Sequence, residues 1–404
     1  MKDNIYYSVC GALAAIAPLS TFIFVRSYME LEDAGYYAFS SSFMVLIGLL
    51  PSIGRNIIER VIPSLQSINE KNDLNNAVVI LQNTYFLLVC SIFFMLSILT
   101  GERQWTFNFY LSLSLFYFSV VNTAAVYYKS VDKLRHSGNV RLIMTYCYQV
   151  GLCYSIYYFE QDKLFYGVFV NCLILLGLYK LIRLIDYNFI LCKAQISSLK
   201  TVSQYINAGF YLLIFNFLVQ LVMQIDIYTL KLVGTEEELA YYSFYSQLIM
   251  YATIFPNILI SSFTTSIFKS CGQKEIVYEI LSKVFTLFVA YFSVSLIVIF
   301  LFSNDIVESL FYSYVNHMFV LYQLSPVILL SAIFSFSSLV LIARGEYKFL
   351  IKLSFFTLVI MFLLKSSLYP LWGEVFLTAS TNIIFLMLAG FSVLKVFKNN
   401  DKKS

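Results

Sequence analysis

The sequence predicts an all-α, polytopic membrane protein of about twelve transmembrane helices arranged as two parallel six-helix lobes. Three observations predict it: the composition, the spacing of the apolar runs, and an internal repeat. Of 404 residues, 59% are hydrophobic, 18% aromatic and only 12% charged, and the mean hydropathy is +0.76. A soluble domain carries about 25% charged residues, so this chain is built for a bilayer. At roughly 34 residues for a spanning helix and its loop, the length allows about twelve crossings and leaves no room for a sizeable water-soluble domain.

Apolar runs fall at about residues 5–25, 35–54, 76–99, 105–128, 140–158, 164–182, 206–230, 240–268, 281–302, 318–343, 349–364 and 370–394, each near the twenty or so needed to span. In hydrocarbon the backbone polar groups must be satisfied within the segment, so runs of this length become helices; a barrel would show short alternating strands. The first run continues past Ala12-Leu13-Ala14, which imitates a cleavage site, and reads as an uncleaved first helix. The second follows the acidic turn Glu30-Leu31-Glu32-Asp33 and carries Pro51 near its inner end. The later runs are separated by basic or turn-forming connections, of which the longest, about Arg183 to Tyr205, reads as a basic linker or an amphipathic surface segment.

Lysine and arginine mark the cytoplasmic side. With the N-terminus inside, only Arg26, Arg103, Lys163, Lys231 and Lys365 of the 27 basic residues fall on the outside, and the rest collect in inside loops and at both termini. One missed helix would scramble that alternation. The expected protein is therefore multi-pass, with both termini cytoplasmic.

The composition excludes other classes. Seven cysteines with no CxxC, placed in apolar stretches or inside loops, make a disulfide framework improbable. His136 and His317 are not at metal-ligand spacing, so no metal or other cofactor is expected. A net charge of +4 spread over loops gives no nucleic-acid patch.

A shift of 205 residues places Glu32, Tyr36, Tyr37, Phe39, Ser41, Pro51 and Ile53 on Glu237, Tyr241, Tyr242, Phe244, Ser246, Pro256 and Ile258, and Arg26 on Lys231. Both copies then run outside to inside, so the halves, residues 1–200 and 201–404, are expected as parallel repeats about an axis along the membrane normal, the plan of a six-plus-six transporter. The acidic turns before each Tyr-Tyr pair are explained by the helix dipole and by interfacial anchoring.

At these residues the chain resembles a known family. Arg26-Ser27-Tyr28-Met29-Glu30-Leu31-Glu32-Asp33-Ala34-Gly35-Tyr36-Tyr37-Ala38 is similar to the turn after the first helix of bacterial polysaccharide flippases, and Asp226 through Tyr242 to the turn after their seventh. Arg344-Gly345-Glu346-Tyr347-Lys348 and Leu371-Trp372-Gly373-Glu374 stand where the family has a hairpin and a later turn. Met29 replaces a usual glycine, Ala240 replaces the turn glycine, and the last turn lacks its second glycine. The motifs belong to the whole multidrug/oligosaccharidyl-lipid/polysaccharide exporter superfamily. Within it, the resemblance implies an O-antigen (Wzx-type) flippase of the bacterial inner membrane. Such a protein moves an undecaprenyl-diphosphate-linked oligosaccharide from the cytoplasmic to the periplasmic leaflet by alternating access, beside a polysaccharide polymerase and a chain-length regulator.

A lipid diphosphate is an anion that must cross a low-dielectric slab, so cations at membrane depth are the expected substrate-binding groups. Arg26 and Lys231 are mirrored by the repeat and either face the cleft or snorkel to the headgroups. Arg55 and Arg60, beside Pro51, would meet the diphosphate on entry or serve as ordinary inside charge. Asn216, Gln220 and Gln224 recur every fourth residue as one polar stripe on the seventh helix, suited to sugar hydroxyls or to interhelical hydrogen bonds; Asn122, Thr123 and Gln149 offer the same choice. Asp226 is the carboxylate most enclosed by an apolar run. It is expected to pair with Arg26 as a gate, to titrate as an H+ or Na+ coupling site, or to fix its helix through an internal ion pair.

Two rivals follow from other chemistry. A polymerase or lipid-linked glycosyltransferase would carry a long outer loop with catalytic arginines, whereas the longest outside connection, 303–317, has Asp305 and Glu308 but no arginine. A drug/cation antiporter would bury several acidic residues in one lobe, and only Asp226 qualifies.

Overall fold

The computed structural model describes residues 2–49, 65–102, 123–131, 133–160, 196–254 and 274–398 continuously, with scattered positions between these stretches. Every regular element among the described residues is helical, and six helices are long and apolar enough to cross a membrane. The chain is an all-α polytopic membrane protein, as its hydropathy requires.

In order, the helices used below are α1 (Lys2–Tyr28), α2 (Leu31–Leu49), α3 (Ile68–Thr100), α4 (Thr123–Ser130), α5 (Leu134–Glu160), α6 (Ile196–Val233) and α7 (Glu236–Ala252). They are followed by α8 (Lys274–Leu310), a 3-10 turn (Tyr312–His317), α9 (Phe319–Leu324), α10 (Val327–Ala343) and α11 (Tyr347–Lys398). The connection expected between Arg183 and Tyr205 is helical from Ile196 onward, continuous with α6. The middle of the expected span at 105–128 (residues 114–122) and most of that at 164–182 lie outside the described residues, as do Asn122, Arg55 and Arg60.

The tenth apolar run, expected at 318–343, is one candidate span over Phe319–Ala343. Its backbone stays in the right-handed helical region through Ser325-Pro326, where only the hydrogen-bond ladder is interrupted because proline brings no N–H, which divides it into α9 and α10. The structure corrects the sequence reading in one place. The eleventh and twelfth runs do not part at Lys365, which lies inside α11 with no exposed surface. They part at Gly373, whose backbone (φ 62°, ψ −151°) lies in a region that only glycine enters freely. Leu371 and Trp372 beside it are 74% and 69% exposed, as interfacial anchors at a turn should be.

The chain packs as two compact units, one of residues 1–29 and 40–213, the other of residues 30–39 and 214–404. In the first, α1 runs along α5. Tyr6 donates to Asn139 Oδ1 at 2.5 Å, Tyr146 to the Leu13 carbonyl at 3.2 Å, and Thr21 to the Gln149 side chain. Between α3 and α4, Thr123 donates to Gln82 Oε1 at 2.7 Å.

In the second unit, α7 starts with a capping box: Thr235 accepts from the Glu238 N–H at 3.2 Å while Glu238 accepts from the Thr235 N–H at 2.8 Å. The segment 30–39 belongs here. A Cβ on Gly35 would stand 2.3 Å from the Glu236 carbonyl oxygen, so only glycine permits this approach. At the opposite end of the unit, the Arg344-Gly345-Glu346 turn clasps the last turn of α11. Arg344 Nη1 donates to the Val396 carbonyl at 2.6 Å, and Lys395 lies 3.7 Å from Glu346. An arginine donated to a terminal carbonyl complements the helix dipole there.

Candidate functional site

An ionised aspartate at membrane depth costs several kcal/mol unless paired or hydrated, so the surroundings of Asp226 decide what it does. Asp226 lies two turns before the end of α6 and is 5% exposed. Lys365, fully buried, places its ammonium on Oδ1. Oδ2 accepts from the Thr381 hydroxyl at 2.7 Å and from the Tyr242 hydroxyl. Lys365 also donates to Thr381 Oγ1 at 2.7 Å. Three helices thus build the cluster: α6 brings the carboxylate, α7 the phenol, and the two arms of α11 the ammonium and the hydroxyl. The turn at Gly373 folds α11 back so that residues 365 and 381 meet.

A polar column continues along the second arm of α11. Thr378, Thr381 and Asn382, at spacings of three and four, share one face. Thr378 donates to the Gln323 side chain, and Asn382 Nδ2 donates to the Gln323 carbonyl at 2.7 Å. Gln323 sits just before the Pro326 break, and the Asn382 amide supplies a donor beside the interrupted ladder. Farther along, Glu374 meets His317 Nδ1 at 2.9 Å, and the His317 ring stacks on Tyr241 with centroids 4.0 Å apart.

The residues expected from sequence are placed as follows. Asp226 is enclosed as anticipated and pairs with Lys365 of its own unit, an internal ion pair, which was one of the three arrangements open from the sequence. Arg26 is 4% exposed in the last turn of α1, its guanidinium 5.9 Å from the Phe22 ring. Lys231, in the last turn of α6, pairs with Glu236 and lies 4.6 Å from the Tyr36 ring and 5.5 Å from the Phe39 ring. Asn216, Gln220 and Gln224 are half-buried along α6. Among the described residues, Asn216 and Gln220 have no hydrogen-bond partner. Thr123 and Gln149, in contrast, are taken up by interhelical hydrogen bonds to Gln82 and Thr21.

Sequence reasoning missed Lys365, Tyr242, Thr381, Thr378, Gln323 and Asn382. A signal existed: Thr378-Ala-Ser-Thr-Asn382 is a polar run in the middle of the twelfth apolar stretch. Lys365 was hidden because a lysine between two apolar runs reads as a loop. No group of three or more His, Cys, Asp or Glu side chains among the described residues is arranged to hold a metal ion.

No family model matches the sequence, and no curated protein matches it significantly. Solved structures do. The MATE multidrug transporter DinF-BH superposes with a TM-score of 0.68 at 13% identity, covering 98% of this chain and 94% of that one. The lipid II flippase MurJ in an inward closed conformation gives 0.65 at 12% identity over 97% of this chain and 87% of that one. A MOP superfamily transporter from Pyrococcus furiosus Vc1, described as having a binding pocket of reverse polarity, gives 0.61 at 12% identity over 98% and 94%. Near-complete coverage of both partners means that this chain has, from end to end, the fold that MATE transporters and MurJ share.

Proposed function

We propose that the protein is not an enzyme but a flippase for an undecaprenyl-diphosphate-linked oligosaccharide. It would work in a bacterial inner membrane with both termini in the cytoplasm and supply a polysaccharide polymerase and its chain-length regulator. Its lobes, residues 1–200 and 201–404, would alternate access to the two leaflets while the polyprenyl tail stays in lipid. The motif resemblance and the fold shared with a lipid II flippase support this reading.

The observation that carries it is the state of Asp226. A carrier of lipophilic cations needs a buried carboxylate left for its substrate. Of the two buried among the described residues, Asp33 lies in the first turn of α2, and Asp226, within the apolar run of α6, is already held by an ammonium and two hydroxyls. The charges assigned to the substrate are Arg26, Arg55 and Arg60, together with Lys231, which a diphosphate would have to share with Glu236. The half-buried amides Asn216, Gln220 and Gln224 are assigned to sugar hydroxyls, Asn216 and Gln220 having no hydrogen-bond partner among the described residues.

A cellular experiment tests it. Cells lacking the protein should accumulate diphosphate-linked oligosaccharide that periplasmic enzymes cannot reach, and wild type but not Arg26→Ala should restore access. The second reading, a drug/cation antiporter, is favoured by the likeness to MATE transporters. It predicts instead normal oligosaccharide and raised sensitivity to lipophilic cations in the same deletion.

A further inference from the structure

We propose that Lys365 is a tethered cation filling a monovalent-cation site. Asp226 and Thr381, carried on α6 and α11, present a carboxylate and a hydroxyl oxygen to one point while Tyr242 of α7 braces the other carboxylate oxygen, and oxygen donors of this kind are what a small hard cation takes. The ammonium of Lys365 occupies that point, touching both the carboxylate and the Thr381 hydroxyl. The side chain is fully buried and Asp226 is 5% exposed, so the cluster is closed to exchange with bulk ions. The 205-residue register sharpens the contrast. It places Thr21 where Asp226 stands, and in the first unit Thr21 makes a neutral hydrogen bond to Gln149. One unit thus holds a neutral pair at this register, and the other a carboxylate with its own cation.

The consequence is specific. A chain that carries its cation covalently leaves Asp226 no place for a transported Na+, and removal of the lysine should turn the cluster into an ion-dependent site. This inference does not depend on the proposed substrate and holds whichever one is carried.

The test is thermal unfolding of the purified full-length protein in NaCl, KCl, LiCl and choline chloride at equal ionic strength, with no substrate present. Wild type should unfold at the same temperature in all four salts. Lys365→Ala should unfold lower in choline chloride and recover by several degrees in at least one of the three metal salts, because an ion bound only by the folded state stabilises it in proportion to its occupancy. The double variant Asp226→Asn/Lys365→Ala should lose that recovery. A Lys365→Ala protein that fails to fold in choline chloride but folds when expressed and purified in one of the metal salts supports the proposal equally. A wild-type unfolding temperature that rises with one metal ion overturns it. So does a Lys365→Ala protein that responds to none of them, or cannot be recovered in any of them.

Discussion

Lys365 of α11 and Asp226 of α6 form an ion pair without solvent access, the side chains being 0% and 6% exposed. Each half of such a pair is tolerable only because of the other. Removing one partner of a buried pair typically destabilises by about 3–5 kcal/mol, because a bare charge is left behind, whereas replacing both by neutral groups of like shape is often close to neutral. Asp226→Asn and Lys365→Met should therefore each lower the unfolding temperature by many degrees, and the double variant should regain most of the loss. A double-mutant cycle read by thermal unfolding checks this; additive losses would mean that the two charges do not meet.

The fold was largely legible in the sequence, and the partner of Asp226 was not, for one physical reason. Hydropathy and the side preference of lysine and arginine report the free energy of isolated side chains in lipid or water. They place α1, α3, α6 and α10 well. A lysine whose charge is matched by an aspartate 139 residues away breaks that assumption, so Lys365 reads as a loop boundary when it is a core residue. The turn at Gly373 was in view as a motif, yet its role in bringing Lys365 to Thr381 needs three dimensions. Conversely, the enclosure of Asp226 was plain from its own helix.

Gly35 and Gly373 should fail differently when changed to alanine. At Gly35 the new methyl meets the Glu236 carbonyl at 2.3 Å, and displacing backbone in a packed contact costs about 1–3 kcal/mol. At Gly373 the space is open, but φ of +62° with ψ of −151° leaves about 1–3 kcal/mol of backbone strain. Gly373→Asn, which enters positive φ more readily than alanine, should recover part of the second loss; Gly35→Asn should be worse than Gly35→Ala. Unfolding temperatures of the four variants decide the matter.

Arg26 lies buried in the last turn of an apolar helix. If it binds a diphosphate, its loss removes a charge-assisted hydrogen bond of about 1.5–3 kcal/mol, so Arg26→Ala should slow flipping roughly ten-fold or more. Arg26→Lys should keep much of the rate. Equal loss in both, with unfolding temperature also lowered, would assign Arg26 to packing through its planar guanidinium.

Asn216 and Gln220 offer a further separation of roles. Being half-buried and without hydrogen-bond partners among the described residues, they should be replaceable by leucine with little or no loss of stability. The same changes should weaken handling of a long oligosaccharide more than that of a bare polyprenyl diphosphate. Transport of the two substrates by the Asn216→Leu/Gln220→Leu protein measures this. Equal transport of both would remove the stripe from sugar recognition.

The most direct measurement places the purified protein in sealed vesicles with either a fluorescent short-chain polyprenyl-diphosphate oligosaccharide or a fluorescent lipophilic cation, and follows how fast each label reaches the opposite leaflet or the lumen. The account predicts protein-dependent movement of the diphosphate, slowed by Arg26→Ala, and none of the cation. Movement of the cation with the diphosphate left stationary would contradict it.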